Sequence, residues 1–329
     1  MAWLHRFAVF VAGATVLLLV AGGLVTSTGS GLSVPDWPTT YGWSMFTFPL
    51  SNMVGGIYYE HGHRLIATTV GVLTIVLAVW LWWKDPRRWV RRLGFLALGA
   101  VIAQGILGGL TVLYFLPAPV SIAHAGLAQI FFCLTVSLAL VTSAGWQDRR
   151  FAIDGTVDDG TLRMAAACTT GLIYLQILIG AAMRHTGAGL AIPDFPFAFG
   201  RLVPPFWTPA VAIHFAHRIG ALVAALAIGL TAAHVWYHHR QRRELRRPAI
   251  MAGVFALVQI TLGALTVLSG KAIAINTAHV VTGALLLASS LVVTLRSFRV
   301  KFALGADFIG TERRSESLLA PHSSVGARA

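Results

Sequence analysis

Charged residues are what this sequence has least of. Only 11% of its 329 residues are Asp, Glu, Lys or Arg, against roughly 25% in soluble domains, which excludes an ordinary water-facing globular surface. Acidic residues are rarer still, 12 against 25 Lys and Arg, for a net charge of +13. Cysteine occurs twice, as Cys133 and Cys168, with no CxxC spacing, so no disulfide framework is available. Both thiols fall inside apolar runs, where they are expected to pack as small apolar residues. No clear small-residue cleavage site ends the first apolar run, which is longer than a signal-peptide core, so it is expected to stay as a helix.

In place of charge the chain is 56% hydrophobic. A bilayer core about 30 Å thick needs around 20 apolar residues per helix, and eight runs meet that length. They extend from about Phe7 to Thr28, His63 to Trp83, Leu93 to Phe115, Val120 to Ala144, Leu162 to Met183, Ala210 to Trp236, Ile250 to Ser269 and Ala272 to Leu295. The fold predicted is an all-α integral membrane protein of eight transmembrane helices, in contact with the lipid bilayer.

The basic residues follow the connections between runs. Lys84, Arg87, Arg88, Arg91 and Arg92 lie between runs two and three, and Arg240, Arg242, Arg243, Arg246 and Arg247 between six and seven. By the positive-inside rule these loops are cytoplasmic. Arg6, Arg149, Arg150, Arg296, Arg299 and Lys301 then fall on the same side, and both termini are expected inside. Only Arg64, Arg184, Arg201, Arg218 and Lys271 lie outside. Orientation accounts for the charge without nucleic acid as a partner. Because orientation depends on summed charge, single substitutions in the basic loops, such as Arg87→Gln, are expected to be mild.

The two halves repeat one another. Thr28-Gly-Ser-Gly-Leu-Ser-Val-Pro-Asp-Trp-Pro38 recurs as Thr186-Gly-Ala-Gly-Leu-Ala-Ile-Pro-Asp-Phe-Pro196, and Glu60-His-Gly-His-Arg64 as His214-Phe-Ala-His-Arg218. The run from Gln104 to Leu113 recurs from Gln259 to Leu268, and His124 recurs as His279. Four spans return the chain to its starting side, so the copies should be tandem four-helix bundles related by a pseudo-two-fold axis along the membrane normal. The expected divisions are residues 1–145, a cytoplasmic linker 146–160, residues 161–300 and a flexible cytoplasmic tail 301–329. Asp36 and Asp194 with their Gly and Pro neighbours read as turn chemistry folding each outer loop over the helix ends, with a ligand lid as the alternative. The small residues at Gly105, Gly108, Gly109, Gly263 and Ala264 are expected to permit close helix contact, and Gln104 and Gln259 to bond between helices.

Of the 12 histidines, His5, His234, His238, His239 and His322 fall at cytoplasmic ends and need no special role. His63, His124, His217 and His279 differ, each lying near the outer start of an even-numbered span, two per half. Ionisable residues inside a membrane are costly and mark function. A haem iron with two axial imidazoles needs histidines from two helices at one depth, which His63 with His124 and His217 with His279 supply as metal ligands. Zinc fits less well, since no acidic or thiol ligand accompanies both pairs. Arg64 and Arg218 follow ligand candidates and are cofactor-binding candidates for haem propionates, with snorkelling to the interface as the plain alternative. Glu60 shares a helical face with His63, whereas His61 points away. The second half has His214 there, so a carboxylate in one half only suits proton removal, with helix-start capping as the alternative. The roles of His61, His185 and His214 stay open.

These residues resemble the haem A synthase family over nearly all of residues 1 to 300. The resemblance rests on the Glu60 to Arg64 motif, His124, His217-Arg218, His279 and the Thr-Gly-x-Gly-Leu loops. It implies that the first half binds haem O through His63 and His124, the second holds haem b through His217 and His279, and Glu60 is catalytic. The implied reaction oxidises a methyl group of haem O to the formyl group of haem A for cytochrome oxidase. Implied partners are haem O synthase and an electron acceptor, with a homo-oligomer allowed. Some family members carry cysteine pairs in the outer loops, and their lack here argues against a thiol-dependent step. The absence of an Arg- and Ser-rich transit peptide favours a bacterial plasma membrane. The strongest alternative is a di-haem electron-transfer cytochrome working with quinone, which would not need Glu60. A transporter is the third reading, opposed by polar groups clustered at the outer ends and not at the midplane.

Overall fold

The computed structural model describes residues 2–147 and 158–299. Eight long helices carry the fold: α1 (Ala2–Ser27), α2 (Gly56–Lys84), α3 (Arg88–Leu113), α4 (Ala118–Val141), α5 (Gly160–His185), α6 (Pro209–His239), α7 (Arg243–Leu268) and α8 (Ile273–Ser297). All eight are long and apolar enough to cross a membrane, and the chain is a multi-pass membrane protein. Among the described residues there is no strand beyond two isolated bridges, Thr40 with Trp43 and Ala198 with Arg201. The expected tail 301–329 and most of the 146–160 linker lie outside the described residues.

The helices match the expected spans in number and order, and seven of the eight begin before them, because a helix can include polar or charged residues ahead of the apolar run. α7 starts at Arg243 and not near Ile250, carrying Pro248 inside it. Proline has no N–H to donate to the carbonyl four residues back, which here is Glu244. The Arg296 guanidinium from α8 bonds that carbonyl instead. The α2 start also moves outward, from His63 to Gly56, which sets Glu60 and His63 inside the helix.

Each helix packs on the next, and α4 closes back on α1 as α8 closes on α5. In each ring of four the even-numbered helices therefore stand at opposite corners. The rings meet where α1 packs on α8 and α4 packs on α5 and α8. The first ring's apolar core, with Leu4, Leu77, Leu81, Val90, Phe131 and Leu138, fills the end nearer the basic loops. The other end buries polar side chains, among them Glu60, His61 and Arg64, beside Val34 and Phe48. Outward faces carry Phe10, Leu96, Leu230 and Leu257, as lipid contact requires.

The basic loops are not interchangeable. Asp85 is 1% exposed, and Arg87 pairs with it at 2.6 Å while donating to the Val141 carbonyl at 3.0 Å. The expectation that Arg87→Gln is mild is corrected on that ground, since removing Arg87 leaves a buried carboxylate unpaired. Arg87→Gln is expected to cost roughly 2 kcal/mol, discounted for a partly exposed guanidinium, and exposed Arg88→Gln close to nothing. Thermal unfolding of the two variants in detergent checks this; equal melting temperatures would refute it.

Candidate functional site

The four interior histidines sit at one end of the bundle, opposite the basic loops. Each lies about two turns into its helix: His63 in α2, His124 in α4, His217 in α6 and His279 in α8. Since α2 and α4 occupy opposite corners, His63 and His124 face each other across the first ring, close enough for their charges to interact. His217 and His279 stand likewise in the second. All four are partly buried. The Nδ1 atoms of His63, His124 and His279 are fully buried without a hydrogen-bond partner.

Every one of these imidazoles rests on a glycine of the preceding helix. A Cβ placed on Gly22 would lie 3.1 Å from His63 Cε1, on Gly108 3.2 Å from His124 Cε1, on Gly180 2.8 Å from His217 Cε1, and on Gly263 3.1 Å from His279 Cε1. Similarly, a Cβ on Gly109 would meet the Trp37 indole at 2.5 Å. At Gly108 and Gly263 the close helix contact expected of small residues takes the form of a ring from the next helix, at Gly109 that of the Trp37 indole from the loop, and Gly105 has nothing within 4 Å.

Glutamines one turn before three of these glycines reach the same histidines. Gln104 Nε2 donates to the His124 carbonyl at 2.9 Å, Gln176 Nε2 to the His217 carbonyl at 2.7 Å, and Gln259 Nε2 lies 3.3 Å from His279 Nε2. Gln104 and Gln259 bond between helices as expected. Gln176 was not anticipated, although Gln-Ile-Leu-Ile-Gly180 carries the same spacing. Comparing the halves hides it, because its counterpart in α1 is Leu18.

Two loops with matching internal bonds fold over this end. Asp36 accepts from the amides of Tyr41 and Gly42, and Asp194 from those of Phe199 and Gly200, with Tyr41, Gly42, Phe199 and Gly200 all at positive φ. This is the turn chemistry read from the sequence. For Asp36, burial alone would raise the carboxyl pKa, but the bonds from Gly42, Thr39 and Tyr41 outweigh it and hold it below the usual range. Asp194 is lowered chiefly by the Gly200 amide.

Arg64 and Arg218 pin these loops. Arg64 donates to the carbonyls of Val34, Asp36 and Thr39, and Arg218 to those of Ile192, Asp194 and Phe197, which are the same positions in each repeat. Both terminal nitrogens of each are thus engaged, and a haem propionate would have to reach Nε or displace a carbonyl. Glu60 is 3% exposed; its Oε1 pairs with Arg64 at 2.7 Å and its Oε2 accepts from Val34 N at 2.8 Å. His214 Nδ1 takes the matching amide of Ile192 at 3.2 Å. Glu60 therefore anchors a loop and does not cap its own helix. His61 turns away from His63 to contact Thr40 and Phe48.

Three residues set aside as surface histidines are not free. His5 Nδ1 lies 3.0 Å from the Ala139 carbonyl. His234 and His239 both bond Asp159 Oδ2, and His239 is buried. Nothing in the pattern of residues signalled this, since the partners are far apart along the chain. Arg184, at the end of α5, reaches Gly23 and Ser27 of α1, tying the rings together, and His185 is near enough to His124 for their charges to interact.

Fold and site together define a class: a multi-pass helical membrane protein with two pairs of interior histidines. Residues 5–291 match the cytochrome oxidase assembly protein family, COX15-CtaA, and the chain belongs to that family. It is similar to the heme A synthase of Symbiobacterium thermophilum, 34% identical over 270 residues covering 78% of this chain and 84% of the relative. It also resembles the heme A synthases of Halalkalibacterium halodurans, 30% identical over 80% of this chain and 87% of the relative, and Lysinibacillus sphaericus, 29% identical over 81% and 86%.

Two outcomes follow from this geometry. Gly180→Ala is expected to displace the His217 ring and destabilise by about 1–3 kcal/mol through overpacking, while Gly229→Ala, with nothing within 4 Å, leaves the melting temperature unchanged. Equal effects would remove the ring-seat explanation. Because the folded pKa values of Asp36 and Asp194 are depressed, their contribution is present above the ordinary value of 3.8 and lost as pH falls through the lower folded values. Cleavage of the two loops by an acid-active protease should therefore begin only below that value; cleavage already above it would contradict the role given to these aspartates.

Proposed function

We infer that this protein is a haem A synthase, an oxidoreductase that converts a methyl group of haem O to the formyl group of haem A for cytochrome oxidase assembly. The observation that carries the reading is the pair of interior histidines at opposite corners of each ring, within a chain of this family. Orphaned ring nitrogens suit iron coordination. Among the described residues no group of three ligating side chains gathers at either pair, as a tetrahedral ion would need.

In this reading the first ring takes haem O as substrate, held by His63 and His124, and the second holds haem b by His217 and His279. A haem b bound there supplies one-electron transfer. Glu60, which shares a face of α2 with His63, would take up a proton released by the oxidation while the electrons pass to the separate acceptor. Arg64 and Arg218 hold the loops that keep water from the sites, and Trp37 on Gly109 closes the first loop down. The halves, residues 1–145 and 161–300, form tandem bundles related along the membrane normal. The sites face outward and both termini lie in the cytoplasm of a bacterial cell, with haem O synthase as supplier and a separate electron acceptor.

Replacing Glu60 and a haem b ligand in turn separates these roles. Glu60→Gln is expected to lower the rate of haem A formation by about a hundredfold, the lower end of acid–base contributions, with the haem b signal retained. His217→Ala should instead lose the haem b signal while haem O remains bound. Spectra and extracted haems of both purified variants read the difference. Normal haem A from Glu60→Gln would reduce Glu60 to a loop anchor, and loss of every haem would make it scaffold. Finding only haem b in the wild type would favour an electron-transfer cytochrome.

A further inference from the structure

At the end of the bundle opposite the interior histidines, three ligating side chains converge. Asp159 Oδ2 lies 2.7 Å from His234 Nε2 and 2.9 Å from His239 Nε2, and all three atoms fall within 4.8 Å of one another. Both histidines come from the last turns of α6, and Asp159 from the residue before α5. The His238 ring stands 4.6 Å from that of His234.

We propose that Asp159, His234 and His239 form a binding site for a divalent transition-metal cation of the zinc type. Two imidazole nitrogens and a carboxylate oxygen are the donor set such ions take, and three protein ligands leave a fourth position for water. Metal–ligand distances near 2.0–2.2 Å put neighbouring donors about 3.3 Å apart, so each Asp159–histidine distance needs to open by only about half an ångström around an ion.

Helix capping does not account for the cluster. Asp159 caps α5 with its other oxygen, Oδ1, which accepts from Leu162 N at 2.9 Å, and a cap needs no imidazole. Nor does charge neutralisation. Asp85, Asp158 and Glu244, the other described carboxylates at this end, each pair with an arginine: Arg87, Arg163 and Arg242. Asp159 alone pairs with side chains able to ligate a metal, on a face where guanidinium is abundant. An ion here would clamp the start of α5, just after the connection between the halves, to the end of α6.

Zinc titration by calorimetry tests this on full-length, haem-loaded protein in detergent, purified without a histidine tag and stripped with chelator; haem occupies the interior histidines. One zinc is expected to bind and to raise the melting temperature. Asp159→Ser keeps a helix cap while removing the ligand, and His239→Gln removes a second. Both should weaken binding at least about tenfold and abolish the thermal shift, while Asp158→Ser, next in the chain, changes neither. The proposal is overturned if wild type binds no zinc, or if Asp159→Ser and His239→Gln bind it as tightly as wild type; the trio is then a hydrogen-bonded clamp.

Discussion

An imidazole inside a bilayer has no water to satisfy it, and the arrangement of this protein turns on that constraint. Four histidines are brought to one end of two helical rings, each seated on a glycine of the helix before it. The seat fixes the ring from behind, and placement on opposite-corner helices turns each pair inward. Burial without a partner would be costly for an ordinary core histidine. In the proposed reading that cost is offset by an iron that both rings of a pair would ligate. Apolar packing is accordingly displaced to the other end, where Leu77, Leu81, Phe131 and Leu138 close the first ring.

The loops extend the same logic to the bundle's end. Arg64 and Arg218 each gather three carbonyls from a loop that doubles back over its helix. These carbonyls are unavailable to any ladder, since the loops form only isolated bridges, and one guanidinium satisfies several of them with a fixed fork of donors. Glu60 and His214 complete the arrangement by accepting one amide each, from Val34 and Ile192. A histidine does this without adding a fixed negative charge. The first half therefore places beside its histidines an anion that the loop anchor alone does not require.

The long apolar runs made the eight helices and their order legible in the sequence, because a spanning segment must satisfy its backbone internally. Their ends were less so: the start of α7 hides behind Pro248, whose missing bond is replaced by a side chain from α8. The four histidines were singled out by repetition and Glu60 by the one place where the repeat puts His214 instead, and the structure sets all of them at one end of the bundle. The grip of Arg64 and Arg218 could not be singled out, because it depends on where a loop's carbonyls return in space and not on side-chain type. Glycine identity at positions 22, 108, 180 and 263 was visible, yet backbone approach and ring seating ask for the same residue. Asp159 and its histidines were illegible for a simpler reason, being 75 and 80 residues apart and each ordinary at a helix end.

The seats are alike in shape but not in support. Amides of Gln104, Gln176 and Gln259 reach His124, His217 and His279, while the residue one turn before Gly22 is Leu18, an apolar side chain packed into the first core. His63 thus stands without the glutamine that steadies the other three. It also has, one turn back on its own helix, the only carboxylate of the site. In the proposed reaction the second ring keeps its haem through every cycle, whereas the first must admit haem O and release haem A. A ligand held by fewer bonds costs less to detach, and both departures from symmetry, Leu18 for glutamine and Glu60 for His214, fall around His63. On that proposal, the half that would exchange its haem is also the half whose sequence leaves one proposed ligand less constrained.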